Sequence, residues 1–253
     1  MPLLGFQDRV VLVTGASKGI GAATARLFGE LGARVAVHYH RDESGARAVA
    51  DAILEGRGHT FSADLAEWAA AAGLCAEVER RLGPLDVVVV NHGIWKPAPI
   101  DRMTEPEYDE MFDANVRGVY ALCGAGAASM RRSGRRGSLV IIASTSGQRG
   151  EAGHSHYAGT KGAVISITKS LAVELAADGI RVNCVAPGWV DTPMTAPTLA
   201  DPDKRAWIFA AIPLGRVARP DEIAGPIVFL ASELATFLTG EILNVNGGAV
   251  LCG

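Results

Sequence analysis

Tyr157 and Lys161 stand four residues apart, a spacing that puts both on one face of a helix. A free tyrosine ionises at about pH 10, too high for ready proton exchange at neutral pH. A nearby ammonium favours the phenolate and lowers that value. Ser144 lies thirteen residues before Tyr157, where a β-rich run ends. A hydroxyl at a strand end can meet the helix there and donate a hydrogen bond to a carbonyl oxygen. Tyr-x-x-x-Lys alone is common by chance. It gains meaning with Ser144 and with a second motif.

The second motif is a glycine-rich turn. The run Arg9–Thr14 leads straight into Gly15-Ala16-Ser17-Lys18-Gly19-Ile20-Gly21 and then a helix-length stretch. The spacing is G-x-x-x-G-x-G rather than G-x-G-x-x-G. Glycines permit a tight turn and close backbone approach, and a helix N-terminus offers free N–H groups to a pyrophosphate. A nicotinamide dinucleotide is expected there. A carboxylate at the end of the second strand would accept from a ribose 2′-OH. Here that strand ends His38-Tyr39-His40-Arg41, with no carboxylate before Asp42. Lys18 and Arg41, beside His40, can instead meet a 2′-phosphate. NADP(H) is therefore expected in preference to NAD(H).

Positioning these groups takes strands and helices in alternation. The strand-like runs are Arg9–Thr14, Arg34–Tyr39, His59–Ser62, Leu85–Asn91, Ser138–Ser144, Arg181–Ala186 and Ile242–Asn246. Several are apolar throughout, as strands covered on both faces are. Helix-length stretches fall at Ile20–Leu31, Glu43–Glu55, Leu65–Arg81, Glu107–Arg132, His154–Ala177 and Asp221–Ser232. Thr104-Glu105-Pro106-Glu107 is a capping-box signature, and Gly32, Gly83 and Gly179 each follow a helix where a left-handed cap is needed. The pattern predicts a single α/β domain, a doubly wound parallel sheet with helices on both faces. Asp191–Leu214 breaks the rhythm with four prolines after a strand's carboxyl end, so a substrate lid is expected there.

Composition narrows the function classes. The chain has 253 residues, 49% hydrophobic and 20% charged, which excludes disorder and leaves ample core. A net charge of −3 gives no electrostatic footprint for nucleic acid or anionic lipid. No run reaches the length of a membrane span, and Asp8 and Arg9 interrupt the N-terminus early, against a secretory signal. Cys75, Cys123, Cys184 and Cys252 are widely spaced and form no C-x-x-C pair. Reduced buried thiols and a cytoplasmic location are expected. No cluster has metal-ligand spacing, so no metal is expected.

In these motifs the chain resembles the short-chain dehydrogenase/reductases, Rossmann-fold proteins of roughly this length. The matching residues are Thr14-Gly15-Ala16-Ser17-Lys18-Gly19-Ile20-Gly21, Asp64-Leu65, Asn91-His92-Gly93, Asn115, Ser144, Tyr157-x-x-x-Lys161 and Pro187-Gly188-x-x-x-Thr192. They span essentially the whole chain. The resemblance implies a seven-stranded Rossmann sheet and hydride transfer between a nicotinamide and a carbonyl or secondary alcohol. It implies Tyr157 as general acid or base, with Lys161 lowering its pKa and binding the nicotinamide ribose. It implies Ser144 polarising the carbonyl, and Asn115, in the long Glu107–Arg132 helix, holding a relay water. Asp64, with Leu65, would contact the adenine. Asn91 and Gly93 would border the cofactor; Pro187, Gly188, Val190 and Thr192 would lie at the nicotinamide end. Where relatives commonly have Asn-Ala-Gly, this chain has Asn91-His92-Gly93. His92 either fills a packing position or reaches a partner across the sheet.

Small-molecule pocket candidates follow from position: Trp95, Gln148, Glu151, His154, Trp189 and Met194. His154 and His156 flank the tyrosine, as substrate contact, proton shuttle or plain helix start. Arg131, Arg132, Arg135 and Arg136 form a basic knot that either complements a helix end or docks an acidic carrier such as acyl carrier protein. Some members of the family are 3-oxoacyl-carrier-protein reductases; they tend to have a base where Asp178 stands here, which weakens the carrier reading. The apolar tail after Asn246 needs cover, and the resemblance implies a homotetramer. The rival of another class is a nicotinamide-binding redox sensor without turnover. Retention of all four catalytic positions argues against it.

Overall fold

Runs that are apolar at every position become the centre of the sheet. A computed structural model describes residues 4–252. Seven parallel strands, β1 (Val10–Val13), β2 (Arg34–Tyr39), β3 (Gly58–Ser62), β4 (Val87–Val90), β5 (Ser138–Ile142), β6 (Arg181–Pro187) and β7 (Ile242–Val245), stand in the order β3-β2-β1-β4-β5-β6-β7. Side chains alternate faces along a strand. Val10 and Leu12 of β1 join one core with Val88, Val90, Leu139 and Ile141. Val11 and Val13 join the other with Val87, Val89, Val140 and Ile142. Both cores are covered by helices, so neither face tolerates polar alternation.

The helices are α1 (Gly19–Glu30), α2 (Glu43–Asp51), α3 (Trp68–Leu82), α4 (Glu105–Phe112), α5 (Gly118–Arg132), α6 (Thr145–Arg149), α7 (Ser155–Leu175), α8 (Ala196–Leu199), α9 (Pro202–Ala210) and α10 (Pro220–Ala231). Strand order reverses between β1 and β4, and the crevice at their carboxyl ends is where such sheets bind ligands. The Thr104–Glu107 capping box is present at α4, and Gly32, Gly83 and Gly179 have φ of 88°, 97° and 70°.

Three expected helices change. The stretch Glu107–Arg132 is not one helix: a π turn at Asp113–Arg117 separates α4 from α5. The stretch after Asp64 starts only at Trp68, because the Asp64 carboxylate accepts from Ala66 N at 3.1 Å in a local turn. Glu43–Glu55 stops at Asp51, and a short 3-10 turn with Glu55 at φ 59° leads into β3. The excursion Asp191–Leu214 carries α8 and α9, with Pro197 and Pro202 in their first turns. There a missing N–H costs nothing. Cys75, Cys123 and Cys184 are buried free thiols, whereas Cys252 is exposed, contrary to the expectation that all four are buried. Among the described residues no helix is long and apolar enough to cross a membrane, and no metal-binding cluster occurs.

Candidate active site

Packing of α6 on α7 brings Ser144 toward Tyr157 and Lys161. A Cβ on Gly147 would overlap the Lys161 backbone, so only glycine allows that approach. Ser144 caps α6, its Oγ accepting from Ser146 N at 3.1 Å. The Lys161 ammonium donates to Ile142 O at 2.7 Å and lies 5.9 Å from the centre of the Tyr157 ring. Burial dominates both titrations. It raises the Tyr157 phenol to about 12, with Ser144 pulling down and Glu151 pushing up. It lowers Lys161 to about 8. The expected lowering of the tyrosine by its lysine is thus not seen in the protein alone, because both groups sit in a desolvated shell.

Asn115 is fully buried in the π turn, not in a continuous helix. Its Oδ1 accepts from Ile94 N at 2.8 Å and its Nδ2 donates to Ile94 O at 2.9 Å and Thr160 Oγ1 at 3.3 Å. It pins the loop after β4, and Gly93 fits between Asn115 and the Lys161 ammonium because it lacks a Cβ.

The glycine turn opens onto a cleft of about 680 Å³ that runs past the β1–β4 reversal to Ser144 and Tyr157. Gly15 and Gly19 have φ of 60° and 58°, and α1 begins without a side-chain cap, leaving its first N–H groups free for an anion. Ser17, Lys18, Ile20, His40, Arg41, Asp64, Leu65, Gly93, Pro187, Gly188, Val190 and Thr192 all line the cleft, and the Thr192 side chain lies close against Gly19. Asn91 lines it too, but its Nδ2 is spent on Thr14 O and Gly15 O at 2.9 and 3.2 Å, bracing the turn. Gly21 lies beneath the lining, where a Cβ would overlap Gly15 O. Lys18 is 3.8 Å from Asp42 and His40 is 3.4 Å from Asp64. A glycine cradle, free N–H groups and a long cleft fit a dinucleotide.

On the substrate side, Trp95, Trp189 and Met194 line the cleft, together with Glu151. His154 does not. It stacks on Trp95 at 4.6 Å between ring centres. Gln148 also points away, donating to Asn244 Oδ1 at 2.6 Å. His156 is buried outside the lining, with its pKa lowered chiefly by burial. Sequence reasoning missed Ser146 and His38. The Ser144-Thr145-Ser146 run at a strand end and a histidine within an apolar strand were their signals. Three of the four knot arginines are ion-paired: Arg131 with Asp178, Arg132 with Glu79 and Arg135 with Asp86.

Two neutral histidines brace the cleft floor. His38 Nδ1 accepts from Gly15 N at 3.1 Å, so its Nε2 carries the hydrogen that faces Ala63 O at 3.1 Å. His92 Nδ1 meets Thr14 Oγ1 at 2.9 Å, a partner across the sheet on the neighbouring strand's end. Burial lowers His38 to about 4 and His92 to about 3. The unfolded chain, titrating near 6.5, then binds more protons than the folded one at mildly acid pH. Their contribution is present above about pH 6.5 and is lost as pH falls toward the folded values. Lowering pH from 7 to 5 is expected to remove roughly 4 kcal/mol through the two rings. Urea denaturation of His92→Gln at both pH values should show about half that loss; an unchanged loss would clear His92 of the effect.

The chain is similar in sequence and in fold to known proteins. A family model described as enoyl-(acyl carrier protein) reductase matches residues 15–250. The chain is 38% identical over 244 residues to a 3-oxoacyl-[acyl-carrier-protein] reductase of Chlamydia muridarum, covering 95% of this chain and 97% of that one. A short-chain dehydrogenase/reductase of Brucella melitensis, described as a glucose/ribitol dehydrogenase, superposes with a TM-score of 0.92 at 34% identity over 100% of both chains. A putative NAD(P)-dependent gluconate 5-dehydrogenase of Beutenbergia cavernae, with NADP bound at low occupancy, gives 0.90 at 36% identity over 98% of both. The family model and these relatives, 34–38% identical, span nearly the whole chain, and the chain belongs to the short-chain dehydrogenase/reductase family as a nicotinamide-dependent oxidoreductase.

Proposed function

We propose that the protein is an NADP(H)-dependent reductase of carbonyls, or dehydrogenase of the matching secondary alcohols, acting through Ser144, Tyr157, Lys161 and Asn115. The observation that carries this reading is that one cleft joins the glycine cradle to Ser144, Tyr157 and Lys161. When bound, the nicotinamide supplies or accepts the hydride. The protein's own groups handle the oxygen and its proton. Ser144 holds the substrate oxygen by hydrogen bonding. Tyr157 gives that oxygen a proton in reduction and takes it in oxidation. Lys161 favours the phenolate and binds the ribose. Asn115 fixes the Gly93–Ile94 loop beside the Lys161 ammonium and completes the proton relay behind it.

Cofactor choice rests on Lys18 in the glycine turn and Arg41 just after β2. The nearest carboxylate there, Asp42, is committed to capping α2, accepting from Gly45 N at 3.1 Å. It is therefore a poor partner for a ribose 2′-OH. Replacing Lys18 and Arg41 together by alanine is expected to lower the NADPH-over-NADH ratio of kcat/KM at least about 150-fold, since each charged contact to phosphate is worth about 1.5–3 kcal/mol and two are lost. A ratio that does not move would reassign the 2′-phosphate site.

The named relatives act on different compounds, a carrier-bound thioester, a sugar or polyol, and a sugar acid, so their names do not converge on one substrate. The pairing of three knot arginines leaves little free positive charge for an acidic carrier. A homotetramer and a cytoplasmic location complete the reading, supported by the edge strand β7, the exposed Leu251 beyond it and the three buried free thiols. The reading is tested by following nicotinamide absorbance with NADPH or NADH and a carbonyl panel that includes an acetoacetyl thioester. The reverse arm uses the oxidised cofactors with sugar alcohols and other secondary alcohols. Turnover of the thioester above all other carbonyls would favour the alternative, a 3-oxoacyl-acyl-carrier-protein reductase of fatty acid synthesis.

A further inference from the structure

Five carboxylates line the cleft: Asp42, Asp64, Glu110, Asp113 and Glu151. Asp42, Glu110 and Asp113 are paired with Lys18, Lys96 and Arg117. Asp64 is half exposed beside His40 at the adenine end. Glu151 is different. Its side chain is only 18% exposed, it sits on the substrate side, and its partners are a histidine and neutral donors. Oε1 accepts from Trp95 Nε1 at 3.2 Å and lies 3.4 Å from His154 Nδ1. Oε2 accepts from Ser146 Oγ at 2.6 Å, and Ser146 Oγ in turn accepts from Ser144 Oγ at 3.2 Å. The carboxylate is therefore one hydroxyl removed from the serine that holds the reacting oxygen.

We infer that Glu151 sets substrate choice: it selects neutral, hydroxyl-bearing ketones and secondary alcohols of the sugar and polyol class and rejects compounds with a carboxylate close to the reacting carbon. This rests on the oxidoreductase reading above and adds the substrate class. An oxygen bonded to Ser144 brings substituents on the adjacent carbons toward Ser146 and Glu151. A carboxylate has about four acceptor sites, so Glu151 keeps capacity for substrate hydroxyls. A second carboxylate there would face an ion with no Lys or Arg partner among the described residues, and like charges a few ångströms apart in a partly desolvated cleft repel strongly. Arg149 also lines the cleft, but it is exposed, so solvent screens its pull on a substrate carboxylate more than it screens the repulsion from the largely buried Glu151. The tryptophans form no open cage for a cation. His154 covers a face of Trp95 at an interplanar angle of 3°, and Trp189 meets it edge-on at 87°.

The test uses four ketones with one carbon skeleton, bearing near the carbonyl a hydrogen, a hydroxyl, a carboxylate or an amine. Each is reduced by the full-length protein with NADPH, and NADPH binding is read separately by fluorescence. The wild type is expected to favour the hydroxylated over the carboxylated ketone by at least about tenfold in kcat/KM. Glu151→Gln should bring that ratio to within about threefold, and Glu151→Ala serves the same comparison should the amide variant fail to fold. A ratio that both variants leave unchanged, or a wild-type preference for the amine, overturns the assignment. A wild type that binds NADPH but neither reduces any of the four nor oxidises their alcohols overturns the oxidoreductase reading, and this inference with it.

Discussion

Replacing Tyr157 by phenylalanine is expected to lower turnover by about a hundred- to ten-thousandfold, the range that a positioned proton donor contributes, while NADPH affinity stays within about threefold. The change removes one oxygen and leaves the ring in place between Ser144 and Lys161. Everything that shapes the cofactor half of the cleft lies elsewhere, in Gly15, Gly19, Asn91 and His38. Burial holds the wild-type phenol up to about 12, so in the protein alone it is the proton-bearing form at neutral pH. Carbonyl reduction needs that form, whereas alcohol oxidation needs the phenolate. The oxidative rate is therefore expected to rise with pH above neutrality, and the residual rate of Tyr157→Phe to lose that rise. Initial rates in both directions across pH 6.5–10, with NADPH fluorescence titration of the variant, check the point. Turnover of the variant within about tenfold of wild type would take Tyr157 out of proton transfer.

What could be read from the chain, and what could not, has a physical pattern. Val87–Val90 and Val10–Val13 are legible because strands buried on both faces must be apolar at every position. The glycine turn is legible because few other residues allow its backbone. The π turn at Asp113–Arg117 is not. Its residues favour a helix as well as their neighbours do, and the break follows from tertiary contacts, Asn115 bonding both polar backbone groups of Ile94. Nearness in sequence to Ser144 likewise does not fix direction. Gln148 leaves α6 toward Asn244, whereas Gly150, at φ 79°, turns the chain back so that Glu151 meets Ser146. His92 was visible as a departure from Asn-Ala-Gly, but its partner Thr14 lies 78 residues away, and only the β1–β4 pairing brings the two together.

Lys161→Met is expected to lower kcat/KM at least about a hundredfold and, unlike Tyr157→Phe, to weaken cofactor binding as well. It should also relieve a cost in folding. Lys161 is 5% exposed, has Ile142 O as its hydrogen-bond partner and no carboxylate partner among the described residues, and burial brings it from the usual 10.5 to about 8. That difference corresponds to about 3 kcal/mol against the folded state at neutral pH. The unfolded chain binds more protons than the folded one between about pH 8 and 10.5, so the penalty is full below that window and fades as pH rises through it. Methionine fills similar volume without charge, although it leaves Ile142 O without its donor, which offsets roughly 1 kcal/mol of the gain. The stability difference between variant and wild type should accordingly shrink by roughly 2 kcal/mol from pH 7.5 to 9.5, as read by urea denaturation at each pH. Tyrosines and buried thiols that titrate in the same range are common to both proteins and cancel in the difference. A gap that stays constant with pH would mean that the folded lysine keeps its ordinary affinity for protons. The site would then hold Lys161 as a fully solvated ammonium, and its role would reduce to contact with the ribose, without the strained charge that favours a phenolate beside it.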